Sequence, residues 1–175
     1  MKKMREKPVL RRGARLATAC LAIALLAGCN KPAQSEAAKN QTYDLSPESN
    51  ARYLTDFAAK PGVLKTEDGL EYRIIKAGTG KAPQSGADMV TVEYKGALIN
   101  GKVFDQTAVG KTATFPAGAL IPGWVEALSL MKEGDHWQIV LPSDLGYGAE
   151  GAGKDIPGNQ TLVFDMTLVK VDPAQ

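Results

Sequence analysis

From residue 70 onwards apolar and polar side chains alternate in short runs, the period-two signature of strands with one buried face. In LEYRIIK (70–76), Leu70, Tyr72 and Ile74 alternate with Glu71 and Arg73. MVTVEYKGALI (89–99) predicts a longer strand, Asn100-Gly101 after it is a hairpin signal, and KVFD (102–105) returns from the turn. TATF (112–115), DHWQIVL (135–141) and TLVFDMTLVKV (161–171) complete the set. Twice the period lengthens to that of a helix. Ser46 and Pro47 have the form of an N-cap and a first helical residue, with Tyr53, Leu54 and Phe57 following at 3–4 spacing, which predicts a short helix over about 47–60. Trp124, Leu128 and Met131 fall at i, i+4 and i+7 and predict a second helix, entered through Pro122-Gly123 and closed by Glu133-Gly134. Five to six strands joined by hairpins, with one short helix among them, describe an α+β domain whose antiparallel sheet buries that helix on one face.

The start of the chain follows another pattern. MKKMREKPVLRRGAR is basic, LATACLAIALLAG is apolar and ends in small residues, and the apolar run is well short of the roughly 20 residues that span a bilayer. Residues 1–28 therefore predict a signal peptide. Leu26-Ala27-Gly28-Cys29 resembles the lipobox of bacterial lipoproteins, in which the cysteine is acylated and becomes the new N-terminus. Arg11-Arg12 is only a weak match to twin-arginine export signals. Asn30 after the cysteine, rather than Asp, favours the outer membrane of a Gram-negative cell.

This reading changes the electrostatics. The chain has 21 basic and 19 acidic residues, of which residues 1–28 hold seven and one, so the remainder carries 14 against 18. A net charge of four negative gives no ground for nucleic-acid binding. Cys20 leaves with the signal and Cys29 is taken by lipid, which excludes disulfides and thiolate metal sites. The polar stretch after Cys29 predicts a flexible tether over 29–61 that carries the first helix, and 62–172 form the folded domain.

Most catalytic motifs fail here. GYGAEG (146–151) fits a G-x-G-x-x-G expression, but a loop follows it where a dinucleotide site needs a helix. His136 is the sole histidine and alternates to the side opposite Trp137 and Ile139, so hydrolase triads have no base. No metal set and no cofactor motif is present. What remains is an aromatic and aliphatic collection with one carboxylate: Tyr94, Phe104, Asp105, Phe115, Leu120, Ile121, Trp124, Tyr147, Ile156 and Phe164. Several lie in loops rich in Pro and Gly, where a domain closing its core has no need of aromatics.

VTVEYKGALINGKVFD, FPAGALIPGWVEALSLMKEGDHWQIVLPSDLGYG and IPGNQTLVFDMTLVKV resemble the FK506-binding (FKBP) type of peptidyl-prolyl isomerase, and most closely its bacterial macrophage infectivity potentiator branch. The likeness runs from about Gly62 to Val171. It implies a strongly curved antiparallel sheet wrapped around a short helix, and catalysis of Xaa-Pro rotation in exported polypeptides. It also implies binding of the macrolides tacrolimus and rapamycin. By the same resemblance, Tyr94, Asp105 and Tyr147 are the polar catalytic groups, and Trp124 carries the substrate proline. Phe104, Phe115, Leu120, Ile121, Ile156 and Phe164 complete the substrate site, with the Ile121 N–H donating to a substrate carbonyl. Related proteins carry long dimerising N-terminal helices; the helix here is far shorter, which predicts a monomer. Asp155, where many relatives have an aliphatic flap residue, and Gly158, where a second proline is common, suggest a more open and polar flap. That flap keeps a second class in play, a client-binding module with little turnover.

Overall fold

Each alternating segment has to bury one apolar face and pair its backbone N–H and C=O groups, and a shared sheet does both. The computed structural model describes residues 42–175; the signal peptide, Cys29 and the first part of the tether lie outside the described residues. Seven strands form one curved, unclosed antiparallel sheet: β1 (Val63–Lys65), β2 (Glu71–Lys76), β3 (Met89–Leu98), β4 (Val103–Gln106), β5 (Ala113–Pro116), β6 (His136–Leu141) and β7 (Leu162–Asp172). Their order is β1-β2-β6-β7-β3-β4, and β5 lies alongside the first half of β3. Two helices accompany them, α1 (Pro47–Ala58) and α2 (Pro122–Leu130).

The count of strands is seven rather than five to six. β1 has three residues and no alternation, and it forms because its backbone pairs with β2 from Val63↔Arg73 to Lys65↔Glu71. The Asn100-Gly101 hairpin closes as expected, although not as a two-residue turn. Gly101 N–H donates to Leu98 C=O (2.8 Å), Leu98 N–H donates to Lys102 C=O (2.9 Å), and only Gly101 takes positive φ, at 85°. That is a three-residue loop, a type I turn followed by a left-handed glycine.

One face of the sheet receives α2. Trp124, Ala127 and Leu128 pack there with Val90 and Val92 of β3, Trp137 and Ile139 of β6, and Phe164, Met166 and Leu168 of β7. The opposite face is covered at one end. α1 packs across β1 and β2 and leaves Phe57 with no exposed surface. On that face Glu71 and its register partner Val140 are both fully buried, and Glu71 Oε1 accepts from Lys65 Nζ at 3.0 Å. A glutamate on the polar face of an alternating strand is thus sealed in, because a helix lies over it.

Candidate functional site

α2 starts in an unusual way. Its N-cap, Ile121, has no side-chain acceptor, Pro122 needs no partner for an N–H, and Trp124 N–H donates to Ile121 C=O at 2.9 Å. The first turn therefore closes on its own backbone and leaves room for a large ring. Trp124 is 5% exposed, and three aromatic rings stand nearly perpendicular to it. Tyr94 lies 5.0 Å away at 84°, Phe164 5.2 Å at 82° and Phe115 6.4 Å at 81°. These are edge-to-face geometries, which the quadrupoles of aromatic rings favour. Phe104 stands edge-on to Phe164 at 5.6 Å and 85° and extends the wall.

The rings enclose an open cavity of about 400 Å³, in the size range of small-ligand sites. Leu120 and Ile121 close one side, and Asp105 and Tyr147 supply the polar groups. Among the described residues the Ile121 N–H has no hydrogen-bond partner. Tyr94 Oη donates to Asp105 Oδ2 at 2.6 Å, a short bond to a charged acceptor. Burial, and then that bond, push the Tyr94 phenol well above its ordinary pKa. Tyr147 is 38% exposed and its phenol is also raised, by burial first and by the Asp105 charge second. Both hydroxyls stay protonated at neutral pH; that of Tyr94 is spent on Asp105, and that of Tyr147 is the donor presented to the cavity.

Nine of the ten residues singled out in the sequence line this cavity. Ile156 does not. It is buried in the core cluster that includes Trp124, and its bridge to Ala152 folds the flap at residues 148–159 back on itself. Ala119 lines the cavity and was not singled out, since a small residue in a loop carries no signal of its own. Asp155 Oδ1 meets Lys102 Nζ at 3.0 Å, a half-exposed pair of small energetic worth. At Gly158 any side chain would run into the Ala149 carbonyl, so the path of the flap demands glycine there. His136 lies on the face expected of it, with Nε2 2.7 Å from Asp165 Oδ1 and away from the cavity.

The sequence model of one family, FKBP-type peptidyl-prolyl cis-trans isomerase, matches residues 80–169. The FKBP-type 22 kDa peptidyl-prolyl cis-trans isomerase of Escherichia coli is 42% identical over 139 residues, 79% of this chain and 67% of that protein. The outer membrane protein MIP of Legionella longbeachae is 43% identical over 146 residues, 83% of this chain and 58% of the relative. The crystal structure of FkpA from Escherichia coli aligns with a TM-score of 0.69 and 41% identity, covering 73% of this chain and 60% of that one. The chain spans about half to two thirds of the length of these relatives. Fold, motif order and identity agree, and the chain belongs to the FKBP-type peptidyl-prolyl cis-trans isomerase family.

Proposed function

We propose that this protein accelerates cis–trans rotation of Xaa-Pro bonds in exported polypeptides, with the proline ring seated on Trp124 and walled by Tyr94, Phe115 and Phe164. The carrying observation is the aromatic box itself, which offers ring faces and neutral donors and contains no nucleophile or base pair. Prolyl rotation needs neither. Its barrier of roughly 18–20 kcal/mol comes from amide resonance, which is lost when the bond is twisted by 90°. The planar imide is the more polar form. A desolvated apolar cavity that binds the twisted form better lowers the barrier. The free Ile121 N–H holds a substrate carbonyl, the Tyr147 hydroxyl faces the ligand, and Asp105 orients Tyr94 rather than transferring a proton. A millionfold acceleration corresponds to about 8 kcal/mol, shared among these contacts.

The test is catalysed relaxation of a proline peptide by the full chain, blocked by tacrolimus or rapamycin. No acceleration at micromolar protein would defeat the proposal. Asp105→Ala lowers kcat/KM about tenfold, since a hydrogen bond to a charged group contributes roughly 1.5–3 kcal/mol and Tyr94 loses its orientation. The pH profile shows no loss centred at or below pH 10, the ordinary tyrosine value, because burial raises both phenols above it. A decline centred at or below 10 contradicts the assigned donors.

The same reading places the protein as a monomer on the bacterial outer membrane, held through acylated Cys29. The lipobox and signal pattern support it, as does the likeness to a relative named as an outer membrane protein. Among the described residues no helix is long and apolar enough to cross a membrane. Cys29→Ser moves the protein from the membrane to the soluble fraction, and unchanged fractionation refutes the anchor.

A further inference from the structure

Asn50 of α1 is a buried polar residue whose side chain hydrogen-bonds to a distant part of the chain. It is 6% exposed and uses its whole amide. Oδ1 accepts from Thr161 N–H at 2.7 Å, and Nδ2 donates to Ser46 C=O at 2.9 Å and to Gln160 Oε1 at 3.3 Å. Gln160, 7% exposed, donates in turn to Leu45 C=O at 3.3 Å and to Gly158 C=O at 3.1 Å. Thr161 is 2% exposed. Such a satisfied network, 110 residues apart in sequence, fixes position more than it adds stability.

What it fixes is the root of the flap. Asn159 N–H donates to Gly148 C=O at 2.8 Å, which closes the flap at its base. Gly148 follows Tyr147 directly, and Phe164 comes three residues after Thr161. The two residues gripped by Asn50 therefore sit between one polar wall of the cavity and one aromatic wall. None of Asn50's hydrogen-bond partners lines the cavity, and Asn50 lies outside residues 80–169, where the family match falls.

We infer that Asn50 is a positioning residue of the isomerase site: α1, within the segment read as the tether, grips the flap root through Asn50 and sets how tightly substrate is held. The inference rests on the function proposed above. Preorganised walls lower the ordering cost of binding, so losing the grip weakens binding without touching the reacting bond. The expected signature is a change in KM rather than in kcat.

The test compares the full chain with Asn50→Ala, Gln160→Ala and Phe57→Leu, reading peptide KM and kcat, thermal midpoint, and amide exchange in the flap. Asn50→Ala and Gln160→Ala each raise KM about five- to tenfold with kcat within about twofold, the scale of one or two lost buried hydrogen bonds. Exchange at Ile156 and Asn159 quickens about tenfold, while that of β6 is unchanged. Phe57→Leu loosens the packing of α1 while keeping the Asn50 amide, lowers the thermal midpoint, and raises KM less than Asn50→Ala does. If Asn50→Ala changes neither KM nor flap exchange, or lowers kcat as much as it raises KM, the inference is overturned. An inactive wild-type chain would instead overturn the isomerase reading, and flap exchange would still decide the grip.

Discussion

Trp124→Ala loses about 3–5 kcal/mol of stability, the range for deleting a large buried aromatic side chain, and most turnover with it. The indole is 5% exposed and touches three rings edge-on, so its removal leaves a void and unties Tyr94, Phe115 and Phe164 from each other. Two effects can then be separated. Unfolding by urea reports the packing loss, and kcat/KM per folded molecule reports the missing floor. The second falls roughly 10- to 100-fold, because burying one apolar ring contributes about 1.5–3 kcal/mol to binding. Trp124→Phe recovers more stability than turnover, since a smaller ring fills part of the core but presents less surface to a proline. A Trp124→Ala protein that is folded and as active as the wild type would remove the indole from the site.

Gly96→Ala destabilises the domain by about 1–3 kcal/mol and narrows the site, although strand propensity alone predicts a gain. Gly96 lies on β3 between Asp105 of β4 and Phe164 of β7, and its φ is not positive, so its backbone would accept alanine. Space is what forbids it. A Cβ there would stand 2.7 Å from ring atoms of both Phe104 and Phe164. Both rings must move, and Phe164 cannot do so without disturbing its contact with Trp124. Turnover falls about tenfold or more if the shifted wall costs one to two kcal/mol of binding. Phe104→Leu in the same chain relieves part of the overlap and restores stability in part. The decisive reading is the unfolding curve of Gly96→Ala. A midpoint equal to or above that of the wild type would show that the rings yield freely, and the packing account would be wrong.

Much of this was readable without coordinates, for a definite reason. A half-buried strand has to repeat every two residues and a packed helix every three to four, so Tyr72, Val92, Ile139 and Phe164 announce their face in their neighbours. Six of the seven strands consequently fall within a residue of their expected bounds. β1 was missed because three residues are too few to show a period, and backbone pairing alone recruits them. The cavity residues were singled out by a different signal, aromatics in glycine- and proline-rich loops, together with the family resemblance. Ala119 carries neither mark.

Several of the surprises are polar. Nothing in the local sequence separates Glu71 from Glu93, both on alternating strands, yet the first is buried and the second exposed. An apolar residue betrays its burial, since exposure would waste it. A buried polar residue does not, because its partners are chosen by tertiary approach and can come from anywhere in the chain. The hydrophobic pattern by itself determined the sheet, the helix it holds and the aromatic character of the site. Only the tertiary structure decided that α1 lies on the domain, that Ile156 turns inward from the flap, and that the flap root is bonded to a residue of the segment read as the tether. Those decisions depend on which surfaces meet, and local periodicity contains no information about that.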